Sequence, residues 1–388
     1  VRRLRALDWR LGVPAVALCV TGVLLVWSST RARVPEDPQA FLRRQALNVA
    51  VGLVVMVVVA SRDHWTLRAW TVPVYAAGCL GLLAVLTPLG KTVNGSQSWL
   101  GLGPLQVQPS EIAKLALVFG LAAVLGDGEA ERRPEAVRVP AALGVAAVPL
   151  GLVMLQPDLG TALIMAATAL GVLVVAEVRW RWIGLLVAAG VAAAALAWWL
   201  DLLKPHQVQR LLVFADPAAD PQGAGYNAVQ ALVTIGSGGL FGRGLFHGDQ
   251  TGGRFVPEQH TDFILTVAGE ELGFVGAAGI LVLLWCVLWR ALHVAGRAAS
   301  PYGRLVAAGI AGWLTVQAAV NVGMVVGLAP IVGVPLPFVS YGGSSVVTCL
   351  AAVGVLMSIG ASSEIFPSGR FSGTARGGTN DLPTFGGA

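Results

Sequence analysis

Charge is what this sequence has least of. Asp, Glu, Lys and Arg together make up 12% of its 388 residues, against roughly 25% in a soluble domain, so a single water-soluble core is excluded. Cysteine is also scarce. Cys19, Cys79, Cys286 and Cys349 each fall inside an apolar segment, with no disulfide framework or metal-ligand spacing among them, and they read as small core residues. The net charge of +5 calls for no nucleic-acid partner.

What is present is apolar sequence, 55% hydrophobic with a mean hydropathy of +0.72. About 20 apolar residues cross the hydrocarbon core of a bilayer, and stretches near that length recur along most of the chain. The fold class expected is all-α, a polytopic integral membrane protein with ten spans near 11–28, 44–60, 71–87, 110–126, 138–154, 159–176, 182–200, 264–289, 305–327 and 343–360. The first span follows a basic start and lacks a small-residue cleavage site, so it reads as a signal anchor.

Orientation follows from the basic residues. With the N-terminus inside, Arg62, Arg68, Arg132, Arg133, Arg138, Arg179, Arg181, Arg290, Arg297 and Arg304 all fall on the cytoplasmic side, as the positive-inside rule requires. Both termini are then cytoplasmic. The loops at 29–43, 88–109 and 328–342 and the large loop at 201–263, between helices 7 and 8, are extracytoplasmic. A ten-helix domain over 1–360 is expected to end in a Gly-, Ser- and Thr-rich tail, 361–388, without periodicity and disordered. Ten glycines crowd residues 223–253. They suit either an adaptable loop packed on the helix ends or close backbone approach to a ligand.

Four stretches could carry chemistry. In QVQPSEIAK (106–114) Glu111 and Lys114 lie three apart on one helix face. Facing lipid they would be costly, which leaves a structural ion pair or a polar site. In QPDLGT (156–161) Asp158 either caps the next span or contributes to a site. GLAPIVGVPLPFVSYGGSS (327–345) cannot continue a regular helix past its prolines; its glycines and free amides, around Ser340, could form an anion-binding concavity. FVPEQHTDFILTVAGEELGF (255–274) sets Glu258, Asp262, Glu270 and Glu271 at the threshold of an apolar run. Thr261 and Asp262 suit the start of a helix there, and composition does not decide between cap and catalyst.

QPSEIAK, QPDLGTA, GAGYNAVQALVTIGSGGLFGRG, FVPEQHTDFI with its EELG, and GVPLPFVSYGGSS, in this order, resemble the shape, elongation, division and sporulation (SEDS) family. The likeness runs from about residue 9 to 360 and is nearer the family's rod-shape (RodA) branch than its division (FtsW) branch. It implies a peptidoglycan glycosyltransferase that polymerises lipid II on the outer face of the bacterial cytoplasmic membrane, with a class B penicillin-binding transpeptidase as partner. Carried over by motif, Asp262 is the catalytic residue, Glu111 and Lys114 are the acid and lysine of the fourth span, and Arg44 is the arginine before the second. Gln97 and Ser98 precede Trp99 where relatives often carry a basic residue. One inverting displacement converts the α-linked donor into a β-linked product. Diphosphate leaves without an acid, so one base, Asp262, and positive charge suffice. Lys114, with Arg44 or Arg210, could hold the diphosphate, and Asp158 and Ser340 complete the expected substrate contacts. A divalent cation, Mg or Mn, could share that role, with no motif naming its ligands. A lipid II flippase, a division-type polymerase and a non-catalytic scaffold for the transpeptidase are the alternatives.

Overall fold

A computed structural model describes residues 8–365 except 34–35, 94–95, 103–104, 127–132, 202, 217–219 and 221–222. All ten expected spans coincide with helices. In chain order these begin with α1 (Trp9–Thr30), α2 (Ala40–Ala60), a short α3 (His64–Ala69) and α4 (Thr71–Val85). Then follow α5 (Pro109–Leu125), α6 (Glu135–Leu155), α7 (Leu159–Val175) and α8 (Trp180–Trp199). The large loop carries α9 (Pro205–Ala215), α10 (Ala224–Ser237) and α11 (Asp249–Gly253). The last four are α12 (Ile264–Glu271), α13 (Gly273–Arg297), α14 (Pro301–Val325) and α15 (Gly343–Ile365). α1, α2, α6, α8, α13, α14 and α15 are long and apolar enough to cross a membrane, and α4 and α7 are shorter apolar helices. Most of the expected tail lies outside the described residues.

The core is built around α5, α14 and α15. Leu117, Leu121, Trp313, Leu314, Leu350 and Leu356 are fully or almost fully enclosed there. The periphery is apolar as well: Leu80, Trp180, Trp199, Phe274 and Trp289 stand exposed, and Ile183 is the one buried residue of α8. An apolar outer surface of this kind is what lipid covers.

Contacts between loops sort onto two ends of the bundle. At one end Ser96 Oγ donates to the Gln156 carbonyl at 2.7 Å, Arg31 to that of Phe246, and the Gln108 amide to Ser344 Oγ at 2.9 Å. At the other, Arg290 pairs with Asp8, Arg179 with Glu135, and Thr71 with the Tyr302 hydroxyl at 2.7 Å. The first end gathers the segments expected outside; the second gathers those expected inside.

Two departures from the sequence expectation matter. Residues 88–109, read as plain loop, form an antiparallel sheet, β1 (Gly90–Val93), β2 (Ser96–Leu102) and β3 (Leu105–Val107), with Gly90 opposite Leu100 and Leu100 opposite Val107. The eighth span, expected as one helix over 264–289, breaks between α12 and α13 and then runs on to Arg297. Gly273 takes φ +68 at the break.

The break frees backbone groups that lipid cannot satisfy, and the glycine-rich loop satisfies them. The Arg243 and Gly244 amides donate to the Glu270 and Glu271 carbonyls, both at 3.0 Å, while the Phe274 and Val275 amides donate to the Gly239 and Leu240 carbonyls at 2.9 and 3.1 Å. Such close passage tolerates no side chain. A Cβ on Gly242 (φ +79) would lie 2.2 Å from the Glu271 carbonyl oxygen, and one on Gly273 would lie 2.2 Å from the Gly242 nitrogen. The glycines of 238–244 therefore seal a helix break. Gly242→Ala is expected to cost at least about 2 kcal/mol through left-handed strain and this clash, read as a lowered thermal midpoint in detergent. Gly144→Ala, with nothing within 4 Å of its Cβ, should leave the midpoint unchanged.

Candidate active site

Asp262 lies just before α12. The helix cap is Phe263, with no side-chain capping bond. Thr261, expected as a cap, turns back instead, its Oγ1 donating to the Glu258 carbonyl at 3.1 Å. The whole turn closes on that carbonyl, which also accepts the Asp262 amide at 3.2 Å. With capping removed as its role, the Asp262 carboxyl is free to face other elements. It reaches the backbone of the 331–334 loop: a Cβ on Gly333 (φ +72) would lie 3.4 Å from Asp262 Oδ2. The Asp262 carbonyl accepts a hydrogen bond from Asn321 Nδ2 at 2.8 Å.

Although the residue keeps part of its surface accessible, the surrounding protein desolvates the carboxylate. Desolvation, then the like charge of Glu258, pushes the carboxyl up to about 7; Arg210 opposes the rise and Asp158 adds to it. Three charged groups, Glu258 from the same turn and Asp158 and Arg210 from two other segments, thus act on Asp262. Asp158 is held at the start of α7, accepting from the Thr161 amide at 3.0 Å and its hydroxyl at 2.8 Å. Arg210, on α9, lines a small cavity of about 40 Å³ with Val213, Phe214, Met324, Pro330 and Ile331.

Beside this group sits a rim that the sequence did not single out. His260 is 5% exposed and stacks edge-on to Phe41, near Tyr341. Burial pushes its pKa down to about 4, against the pull of Glu258 and with help from Arg33. The neutral ring can accept, and Arg33 Nη1 lies 3.2 Å from its nitrogens, with Glu258 3.9 Å from the guanidinium. The His260 carbonyl accepts from the Tyr341 amide at 2.9 Å, which ties the Asp262 turn to the loop before α15.

The other expected contacts are placed differently. Lys114 and Glu111 are each 2% exposed. The Lys114 ammonium donates to Glu111 Oε1 at 2.7 Å and Gln317 Oε1 at 2.8 Å, and lies 5.1 Å from the centre of the Trp313 ring. That is the geometry of the locking ion pair, and it encloses the ammonium where a diphosphate contact was expected. Ser340 is likewise internal, its Oγ accepting from the Leu336 amide at 2.8 Å, and it closes a turn where substrate contact was expected. Arg44 is exposed. Glu270 and Glu271 bond to different elements. The first accepts from the Gln250 and Thr251 amides at 2.8 and 2.7 Å, and the second accepts from Ser28 on α1. Among the described residues no three His, Cys, Asp or Glu side chains gather as a metal site.

Sequence reasoning missed Gln317 and Asn321. The available signal was two amides four apart in WLTVQAAVNVG, inside an otherwise apolar span.

The sequence profile of a family described as cell cycle protein, covering FtsW, RodA and SpoVE, matches residues 10–365. The peptidoglycan glycosyltransferase MrdB of Escherichia coli K12 is 40% identical over 89% of this chain and 90% of that protein. Stage V sporulation protein E of Bacillus subtilis is 35% identical over 91% and 96%. Among solved structures, a chain from a peptidoglycan synthase complex that coordinates polymerization and crosslinking is similar with a TM-score of 0.75 and 32% identity, over 92% of this chain and 98% of that one. The rod shape determining protein RodA of Thermus thermophilus is similar with a TM-score of 0.66 and 31% identity, over 91% and 96%.

The buried pair sets its own test. Lys114→Met would leave the Glu111 carboxylate uncompensated and should cost about 3–5 kcal/mol. Adding Glu111→Gln should recover most of that loss in thermal unfolding of the purified protein. A double variant no more stable than Lys114→Met would show that the pair is not what holds α5 to α14.

Proposed function

This chain belongs to the FtsW, RodA and SpoVE family of cell cycle proteins, and we propose that it polymerises lipid II with Asp262 as the base. It is a peptidoglycan glycosyltransferase and a multi-pass membrane protein. The end of the bundle that carries Asp262 faces outward and both termini face the cytoplasm, the orientation that the arginines of the opposite loops favour.

One observation carries the reading. A carboxyl that neither caps its helix nor forms a close ion pair is held among Glu258, Asp158 and Arg210 with a pKa of about 7. A general base works best when its pKa lies near the operating pH. In the reaction, the 4-hydroxyl oxygen of the incoming GlcNAc forms a bond to the anomeric carbon of the donor. The bond from that carbon to the diphosphate breaks, undecaprenyl diphosphate leaves, and the hydroxyl proton passes to Asp262. Attack opposite the leaving group inverts the α-linked donor to a β-linked product. With Lys114 paired inside the bundle, Arg210 is the cation whose charge acts on the base, and exposed Arg44 is a second candidate for the diphosphate. Their positive charge stabilises the leaving group.

A class B transpeptidase is the partner that fits. The support for it is the structural likeness to a chain of a synthase complex that both polymerises and crosslinks. If partner binding favours the arrangement of α9 and α10 that admits substrate, it shifts that population and raises the rate.

Asp262→Asn should lower glycan polymerisation from purified lipid II by about 10²-fold or more while lipid II still binds. A variant that polymerises at the wild-type rate would end the base assignment; a wild-type protein that moves lipid across vesicles but never polymerises it would favour a flippase. The wild-type rate should rise as pH passes upward through about 7, because the carboxyl is protonated below that value and accepts a proton only above it. A transpeptidase stripped of its serine nucleophile should still stimulate the initial rate. Equal rates with and without it, in a confirmed complex, would confine the partner to cross-linking.

A further inference from the structure

Gln317 and Asn321 stand one turn apart on α14, and neither exposes any surface. Gln317 Nε2 donates to the Pro335 carbonyl at 3.0 Å, while its Oε1 accepts from Lys114 at 2.8 Å and from the Trp313 indole at 2.7 Å. Asn321 Nδ2 donates both to the Val334 carbonyl at 2.7 Å and to the Asp262 carbonyl at 2.8 Å. Two amides in an i, i+4 pair thereby seize two successive carbonyls of the 331–340 loop. One of them also holds the buried lysine, and the other holds the backbone of Asp262. Asn321 Oδ1 has no partner, so the side chain spends its bonding on these two carbonyls.

We propose that Asn321, braced by Gln317, is a positioning residue for glycosyl transfer, fixing the Asp262 peptide against the 331–334 loop. The proposal rests on Asp262 as the base. Asp262 lies outside regular helix, and its amide is held only by the Glu258 carbonyl at 3.2 Å. Asn321 supplies the second tether, on the carbonyl side of the same residue. With both in place the carboxyl is kept beside Gly333. Without the second, the 262–263 peptide can rotate and the carboxyl swings toward water. Displacement of a reacting group by about 1 Å can cost about 10²-fold in rate.

The surroundings make that swing visible. The groups that act on the Asp262 carboxyl are Glu258 on its own turn, Asp158 at the head of α7 and Arg210 on α9. His260 and Arg33 lie beyond Glu258, and Glu111 and Lys114 neutralise each other across α5. The 331–340 loop and the Gln317–Asn321 stretch of α14 contribute no charged side chain. Greater exposure of the carboxyl relieves desolvation, the first cause of its raised pKa, and must lower it.

The test uses the full chain in nanodiscs with purified lipid II, with rates normalised to folded protein. Asn321→Leu should reduce kcat by about 10²-fold with KM unchanged, and the acid limb of its pH profile should move below that of the wild type. Asn321→Ser, which keeps one donor, should fall between leucine and wild type in both. The inference is overturned if kcat and the limb per folded molecule match the wild type, or if KM alone rises. Should the leucine variant fail to fold, the serine variant decides by the same two readouts. Asp262→Asn serves as the reference: its inactivity beside a wild-type Asn321→Leu sinks positioning alone, whereas an active Asp262→Asn sinks the base and positioning together.

Discussion

The structure depends on how a broken helix is made whole in a solvent that offers no hydrogen bonds. Between Glu271 and Gly273 the eighth span loses its continuity, and the loop 239–244 supplies donors to Glu270 and Glu271 and acceptors to Phe274 and Val275. Each of those groups left bare in lipid would cost several kcal/mol, so the break and the loop must coexist. The break makes α12 a separate short helix, and α12 carries the Asp262 turn at its head. It also sends the two adjacent acids to different elements, Glu270 to the start of α11 and Glu271 to α1. The 201–263 segment is thus anchored to the bundle at the point where the site needs rigidity.

A second constraint comes from charge. An ammonium and a carboxylate buried between α5 and α14 carry a large desolvation penalty, offset only by close geometry and further hydrogen bonds. Glu111, Gln317 and the Trp313 ring provide these for Lys114. Because Gln317 then reaches Pro335 and Asn321 reaches Val334, the stabilised pair holds the proline-rich loop in place. That loop bears Gly333 against the Asp262 carboxyl. The lysine therefore bears on the site through packing and position.

Much of this could be read in the sequence, and the limits have physical reasons. The spans were legible because apolar length is a direct demand of the bilayer, and Asp262 stood out by its motif. The break at Gly273 was not, since glycine inside a membrane helix is common and the partner loop lies about 30 residues away in sequence. The sheet at 90–107 was missed although Asn94-Gly95 is a hairpin signal, because its strands are only a few residues long. The role of Lys114 was undecidable, as an i, i+3 pair with Glu111 fits both a lock and a ligand site; only the third partner, Gln317 on a distant helix, separates them. Arg33 and His260 meet across more than two hundred residues, which no local pattern encodes.

The charges around Asp262 are tethered unequally, and this gives the site a direction. Glu258 belongs to the same turn, and Asp158 is fixed by the helix that it caps. Both raise the carboxyl pKa. Arg210 lowers it from α9, a helix of the outer segment that borders a cavity. An anion that engages Arg210 screens the one influence that favours the charged carboxylate. The two acids then act less opposed, and the carboxyl becomes more basic. A diphosphate bound at Arg210 would therefore strengthen the base at the moment that its donor arrives. Departure of that diphosphate would restore Arg210 to Asp262 and ease release of the captured proton.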